Sequence, residues 1–321
     1  MRFSITEEQS EGWKGIRLTD SQSKVSATVI PAAGAILNAF VIDRDGQATD
    51  VIDGFSGALD FRDRIEKGFQ SAKLSPYVCR IRDATYEWRG RRYTIGRFLL
   101  DGAAIHGLLY DRPFEVMEES AHADHCEILL KHAYPGSDPG YPFPYDCHVR
   151  YRLEENGRLT VTTAVHNRCE EPIPLADGWH PYFTLGGRVD DLTLQFAGSD
   201  MLEYDPSLIP TGRTVPDSSW RTPKRIGDIS LDHGYVLDFT GKGPLCTLSN
   251  PATGVFVSFE PDPSYPYLQL YIPDHRRSIA IENLSAAPDA FNNGMGLTVL
   301  EPDRTRTFCT RYRIGLSGDA R

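Results

Sequence analysis

Residues 157–167, GRLTVTTAVHN, alternate along their length: Leu159, Val161, Thr163 and Val165 point one way, and Thr160, Thr162, Ala164 and His166 the other. A period of two is the repeat of a β-strand, whose successive side chains leave opposite faces, so this stretch reads as a half-buried strand. Comparable runs recur in KVSATVIPAAGAILNAFVI, HCEILLKHAY, DLTLQFAG, PLCTLSNP, GVFVSFEP, YPYLQLYIP, RSIAIENLS and RTFCTRYRIGL. Asn156-Gly157 and Arg89-Gly90 each separate two such runs, which predicts two tight antiparallel hairpins. Helix signals are few; LDFRDRIEKGFQS, near 59–71, has the spacing of a short amphipathic helix. Many short antiparallel strands predict an all-β fold, a large antiparallel β-sandwich with one face or mouth left for a ligand. The 28 glycines and 22 prolines are dispersed, and no fixed-period repeat or low-complexity block appears, so residues 1–321 are expected to form a single domain.

Composition narrows the classes of function. A formal net charge of -10 opposes non-specific binding to nucleic acid or anionic lipid, which needs a basic surface, and leaves small neutral ligands open. No apolar run approaches the roughly 18 residues of a membrane span, and the first residues lack the apolar core and cleavage site of a signal peptide. A cytoplasmic location is expected, without a membrane or nucleic-acid partner. The six cysteines form no C-x-x-C pair, which disfavours a zinc knuckle or redox motif and suits reduced, mostly buried thiols. His122 and His125, in AHADHCEILL, sit in a turn with no convincing third metal ligand.

A few polar residues stand in apolar or aromatic surroundings. His180 lies inside LADGWHPYFTL, the most aromatic stretch of the chain; His106 follows an apolar pair and precedes Gly107, where backbone is expected to approach something closely. Glu282 faces away from Ile279 and Ile281, at a strand end that opens into a Pro-Asp loop, where it is either a solvated edge residue or a site residue. Arg80 alternates with Cys79 and Ile81 and projects to its own face.

Taken together, HGLLYDRPFEV, DGWHPYFTL, LDHGYVLD and IAIENLSAAPDAFNNG, in this order, resemble the aldose 1-epimerase family, also called galactose mutarotases. The resemblance implies a galactose mutarotase-like supersandwich and a reaction, requiring no cofactor, that interconverts the α and β anomers of a free aldose. It implies Glu282 as general base and His180 as general acid, with His106 near the ring oxygen and Arg80 and Asp232 binding hydroxyls, no metal being required. An ionised Glu282 beside a protonated His180 fits such a cycle, since a neighbouring carboxylate raises a histidine. Two departures from the family pattern fall at Cys79 and Trp179, where many relatives have asparagine. Trp179 is expected either to offer a flat face to the sugar or to pack in the core. The expected partner is a small-molecule sugar, and the protein is expected to be a monomer or homodimer. The competing readings are a non-catalytic carbohydrate-binding sandwich, a glycoside hydrolase with two carboxylates, and a hexose-6-phosphate mutarotase.

Overall fold

The structure, a computed structural model, describes residues 1–44 and 46–317. Two large antiparallel sheets dominate it. The nine-stranded sheet runs in space through Glu115–Ala121, His125–Tyr134, Tyr145–Glu154, Arg158–Asn167, Thr305–Leu316, Val255–Phe259, Cys246–Ser249, Thr193–Phe196 and Lys224–Arg225. The eight-stranded sheet orders Pro210–Pro216, Gly198–Tyr204, Asp232–Leu237, Tyr267–Tyr271, Ile279–Leu284, Gly178–His180 and Ala72–Leu74, with Tyr182–Phe183 also paired to Ile279–Leu284. A five-stranded sheet formed by residues 3–50 adds to them.

The two large sheets pack face to face. Phe183 of the eight-stranded sheet meets Phe259 of the other edge-on, with centroids 4.9 Å apart, and the Thr310 hydroxyl hydrogen-bonds Asn283 Oδ1 at 2.7 Å across the interface. Inward alternation supplies this core: Leu159, Val161, Thr163 and Val165 are all buried, while the residues between them are half-buried. Sandwiches are built this way, from two sheets that each hide one face.

Both predicted hairpins form. Thr85–Trp88 pairs with Arg91–Thr94, and Tyr145–Glu154 pairs with Arg158–Asn167, with positive φ at Arg89 and Gly90 and at Asn156 and Gly157. The predicted helix runs Ala58–Gly68 and stops at Phe69, whose φ of 55° turns the chain out of the helix. No helix among the described residues is long and apolar enough to cross a membrane.

Candidate active site

One strand pairing positions the site. Gly178 pairs with Leu284 and Tyr182 with Ala280, so His180, midway, lies opposite Glu282. On its other side Glu282 pairs with Gln269, and Gln269 with Gly234. His180, Glu282 and Gln269 therefore form one row across the sheet. Because side chains two apart share a face, the next row on that face is Tyr182, Ala280, Tyr271 and Asp232. These rows floor a cavity of about 420 Å³, against which Arg80, Cys79, His106 and Phe69 form a wall.

The wall is folded tightly. Ile105 pairs with Arg80, and the His106 amide donates to Cys79 O at 2.8 Å, which brings Arg80 and His106 side by side. Phe69, Cys79 and His106 all have positive φ, uncommon for non-glycine residues and a form of backbone strain that gathers at functional sites. Gly107 is where backbone meets backbone: a Cβ there would lie 2.5 Å from Ser75 O, and its φ of 80° also favours glycine. The His106 ring is held between Phe69, 4.6 Å away, and His180, 4.8 Å away and edge-on. On its other side His180 stacks on Tyr182 at 5.1 Å.

His180 Nε2 lies 3.4 Å from Glu282 Oε1, with both residues buried. His180 Nδ1, Glu282 Oε2 and His106 Nδ1 are buried with no hydrogen-bond partner in the structure. Burial lowers His180 to about 4 and lowers His106 well below the usual imidazole range, the latter helped by His180 and Arg80. It also raises Glu282 well above an ordinary carboxylic acid, with Asp232 adding to the shift. This corrects the charge pattern read from the sequence, in which the carboxylate raised the histidine: loss of water acts against both charges. At intermediate pH the pair is best described as holding one proton, written as neutral imidazole with carboxylic acid or as imidazolium with carboxylate. Either form has one acid and one base in contact, which is what concerted proton exchange requires.

All five residues singled out in the sequence, Glu282, His180, His106, Arg80 and Asp232, line this cavity. Asp232 is raised by burial and pulled back by Arg80. Gln269 was missed. Its amide donates to Asp232 Oδ1 at 2.9 Å while its carbonyl accepts from the Tyr204 hydroxyl at 2.9 Å, a relay that orients the aspartate. A Cβ at Gly234 would lie 2.3 Å from the Tyr204 oxygen, so the glycine of LDHGYVLD leaves that tyrosine room. The signal was present in YLQLY, where Gln269 is the polar residue between Leu268 and Leu270. Of the two departures, Cys79 lines the cavity and Trp179 does not. Trp179 faces the opposite side of the sheet from His180, packing on Tyr151 at 5.9 Å with Lys73 over its ring at 4.5 Å, so of its two expected roles packing is the one the structure supports.

The comparisons agree with this architecture. Residues 16–313 match the family model described as aldose 1-epimerase. Among curated proteins, the uncharacterized protein YihR of Escherichia coli K12 is 29% identical over 237 residues, 71% of this chain and 73% of that one. The aldose 1-epimerase of the same organism is 23% identical over 238 residues, 67% of this chain and 66% of that protein. Among solved structures, a galactose mutarotase-like protein from Clostridium acetobutylicum superposes with a TM-score of 0.82 at 18% identity, covering 98% of this chain and 99% of the other. The galactose 1-epimerase of Lactobacillus acidophilus gives 0.81 at 19% identity, over the same shares. With a family model matched along nearly its whole length, on a mutarotase-like sandwich, this chain belongs to the aldose 1-epimerase family.

Proposed function

We propose that this protein interconverts the α and β anomers of a free, neutral aldose by acid–base ring opening and reclosure. The observation that carries the reading is the 3.4 Å contact of His180 with Glu282 inside a cavity lined by His106, Arg80 and Asp232. In ring opening, the unprotonated member of the pair takes the proton from the C1 hydroxyl. The protonated member gives its proton to the ring oxygen, the C1–O5 bond breaks, and an open-chain aldehyde forms. Rotation about C1–C2 presents the other carbonyl face. On reclosure O5 attacks C1, its hydroxyl proton returns to the group that gave it, and the first group returns its proton to O1. The pair ends as it began.

The remaining residues act by position. Neutral His106 suits the ring oxygen, to which it can offer either a proton donor or a lone pair, while Arg80 and Asp232 hold hydroxyls remote from C1. Anchoring the far side aligns the reacting atoms and leaves C1 free to turn. A carbohydrate-binding module has no need of an acid–base pair, and the two readings part in one measurement. Optical rotation of freshly dissolved α-glucose, α-galactose and further aldoses should relax faster with the protein than without it. Folded protein that accelerates none of them would return the site to a binding role.

A further inference from the structure

The helix Ala58–Gly68 reaches the catalytic cavity with its last turn: Glu66, Lys67, Gly68 and the Phe69 that follows all line it. That end is fixed. The Phe69 amide donates to Ile65 O at 2.7 Å, and the Phe69 ring packs edge-on against Phe98 at 5.3 Å and Tyr110 at 5.1 Å. Glu66 is also held through its side chain. The hydroxyl of Tyr110, a fully buried residue, donates to Glu66 Oε1 at 2.6 Å and accepts from Arg97 Nε at 3.2 Å. Arg97 lies over the Tyr110 ring at 4.8 Å and pairs with Asp111. A glutamate at an exposed helix position ordinarily keeps its rotamer freedom. Here Asp111, Arg97 and Tyr110 hold one at the rim of the cavity, and Tyr110 uses only part of the acceptor capacity of a carboxylate.

The order of groups along the wall matches the order of atoms in a pyranose. The His106 ring has His180 4.8 Å away on one flank and Phe69 4.6 Å away on the other, and Glu66 lies beyond, joined to the Phe69 cluster through Tyr110. A pyranose runs from C1 to O5 to C5, which carries C6 and its hydroxyl. With C1 at the His180–Glu282 contact and O5 at His106, C5 falls against Phe69 and the C6 hydroxyl toward Glu66. The chemistry agrees with the order. An aromatic ring suits the C–H groups of C5 and C6. A hydroxyl both donates and accepts, and it meets an acceptor in Glu66 beside a donor in Lys67.

We infer that Glu66 recognises the C6 hydroxyl of the sugar and that Tyr110 is the positioning residue that holds Glu66 in place. The inference rests on the proposed anomerisation and adds a selection to it, for a hexose over its 6-deoxy counterpart.

The test follows anomer exchange of glucose and 6-deoxyglucose by NMR. Wild-type kcat/KM should favour glucose by about tenfold, since a site built to bond a hydroxyl rejects the analogue lacking it, and an exposed carboxylate does so less than a buried one. Glu66→Leu removes the acceptor and should bring that ratio below about threefold, with the change carried mainly by KM for glucose. Tyr110→Phe should lower the ratio partway, and in the Glu66→Leu background should move it no further, because its effect passes through Glu66. Turnover of 6-deoxyglucose certifies that each variant is folded. A wild-type ratio below about threefold overturns the assignment, and so does a Glu66→Leu variant that keeps the wild-type ratio. A Tyr110→Phe variant that slows both sugars alike overturns the positioning role. Folded wild-type protein that turns over neither sugar instead overturns the proposed anomerisation, and the inference with it.

Discussion

The eight-stranded sheet buries ionisable groups on both of its faces, and treats them differently. On the face toward the nine-stranded sheet, Lys73 and Asp177 are fully buried and joined at 2.6 Å. Lys73 also donates to Gly178 O at 3.0 Å, and Tyr265 donates to the same Asp177 oxygen at 2.6 Å. On the cavity face, Glu282 and His180 are nearly as buried, yet they meet at the longer distance of 3.4 Å; Glu282 Oε2 and His180 Nδ1 have no partner, as Asp177 Oδ2 has none on the other face. Trp179 and His180, neighbours in the chain, belong to opposite sides of this division. Buried charge that serves the fold is held by short hydrogen bonds from several sides, whereas the pair poised for proton transfer meets in one longer contact at the cost of desolvation.

The comparison breaks most directly at Lys73. Lys73→Met leaves Asp177 buried without its cation and should cost roughly 3–5 kcal/mol of stability, read from urea unfolding. Its kcat per folded molecule should stay near wild type; a loss rivalling that at the catalytic pair would erase the distinction between the faces. Glu282→Gln should give the opposite result. General base catalysis contributes about 10²–10⁴ in rate, so kcat should fall at least about 100-fold, roughly 2.7 kcal/mol in the barrier, with little change in KM. Its unfolding midpoint should hold or rise, because a desolvated acid with an unpartnered oxygen has been replaced by a neutral amide. Retention of more than about a tenth of kcat would remove Glu282 from the proton transfer.

The two faces were unequally legible in the sequence. Alternation around Ile279 and Ile281 places Glu282 on the other face, but that strand is buried on both sides, so a solvated edge was never available to it. The same alternation assigns Trp179 and His180 to opposite faces, a consequence the aromatic character of LADGWHPYFTL obscured. What no local pattern contains is the row itself. His180 and Glu282 come together because strands about a hundred residues apart pair in one register, and Gln269 joins them by a further pairing. The protonation of the site was out of reach for the same reason. Burial decides it, and burial follows from the packing of distant strands.

The shared proton gives a pH profile whose limbs differ from those of an ionised Glu282 beside a charged His180. His180 is lowered to about 4, so below that pH the imidazole gains a proton while Glu282 still carries one, and the site loses its base. As pH rises through the raised carboxyl of Glu282, the pair loses its only proton and the site loses its acid. A plot of kcat/KM should therefore show a plateau with an acid limb near 4 and an alkaline limb well above the ordinary carboxylate range, both belonging to the coupled pair. In Glu282→Gln, residual activity should lose the alkaline limb. If that limb survives unchanged, another group owns it.

The smallest expected effect concerns a phosphate on the substrate. The cavity presents Glu66 and Asp232 against Lys67 and Arg80, the His180–Glu282 pair being net neutral with its one shared proton, whereas the opposite face matches its buried acid Asp177 with a dedicated cation. A phosphate leaving water needs donors converging on one point, as a bidentate arginine or a helix N-terminus provides. Arg91 and Arg92, the densest basic pair considered in the sequence, are exposed on the Thr85–Trp88 and Arg91–Thr94 hairpin and do not line the cavity. Free glucose or galactose should therefore exceed its 6-phosphate in kcat/KM by about tenfold, roughly 1.4 kcal/mol in transition-state binding. The comparison is to be made at fixed, moderate ionic strength, since screening alters charge repulsion over these distances. A tenfold preference in the other direction would mean that Arg80 and Lys67 together outweigh the acids, and a hexose-6-phosphate would replace the free sugar as substrate.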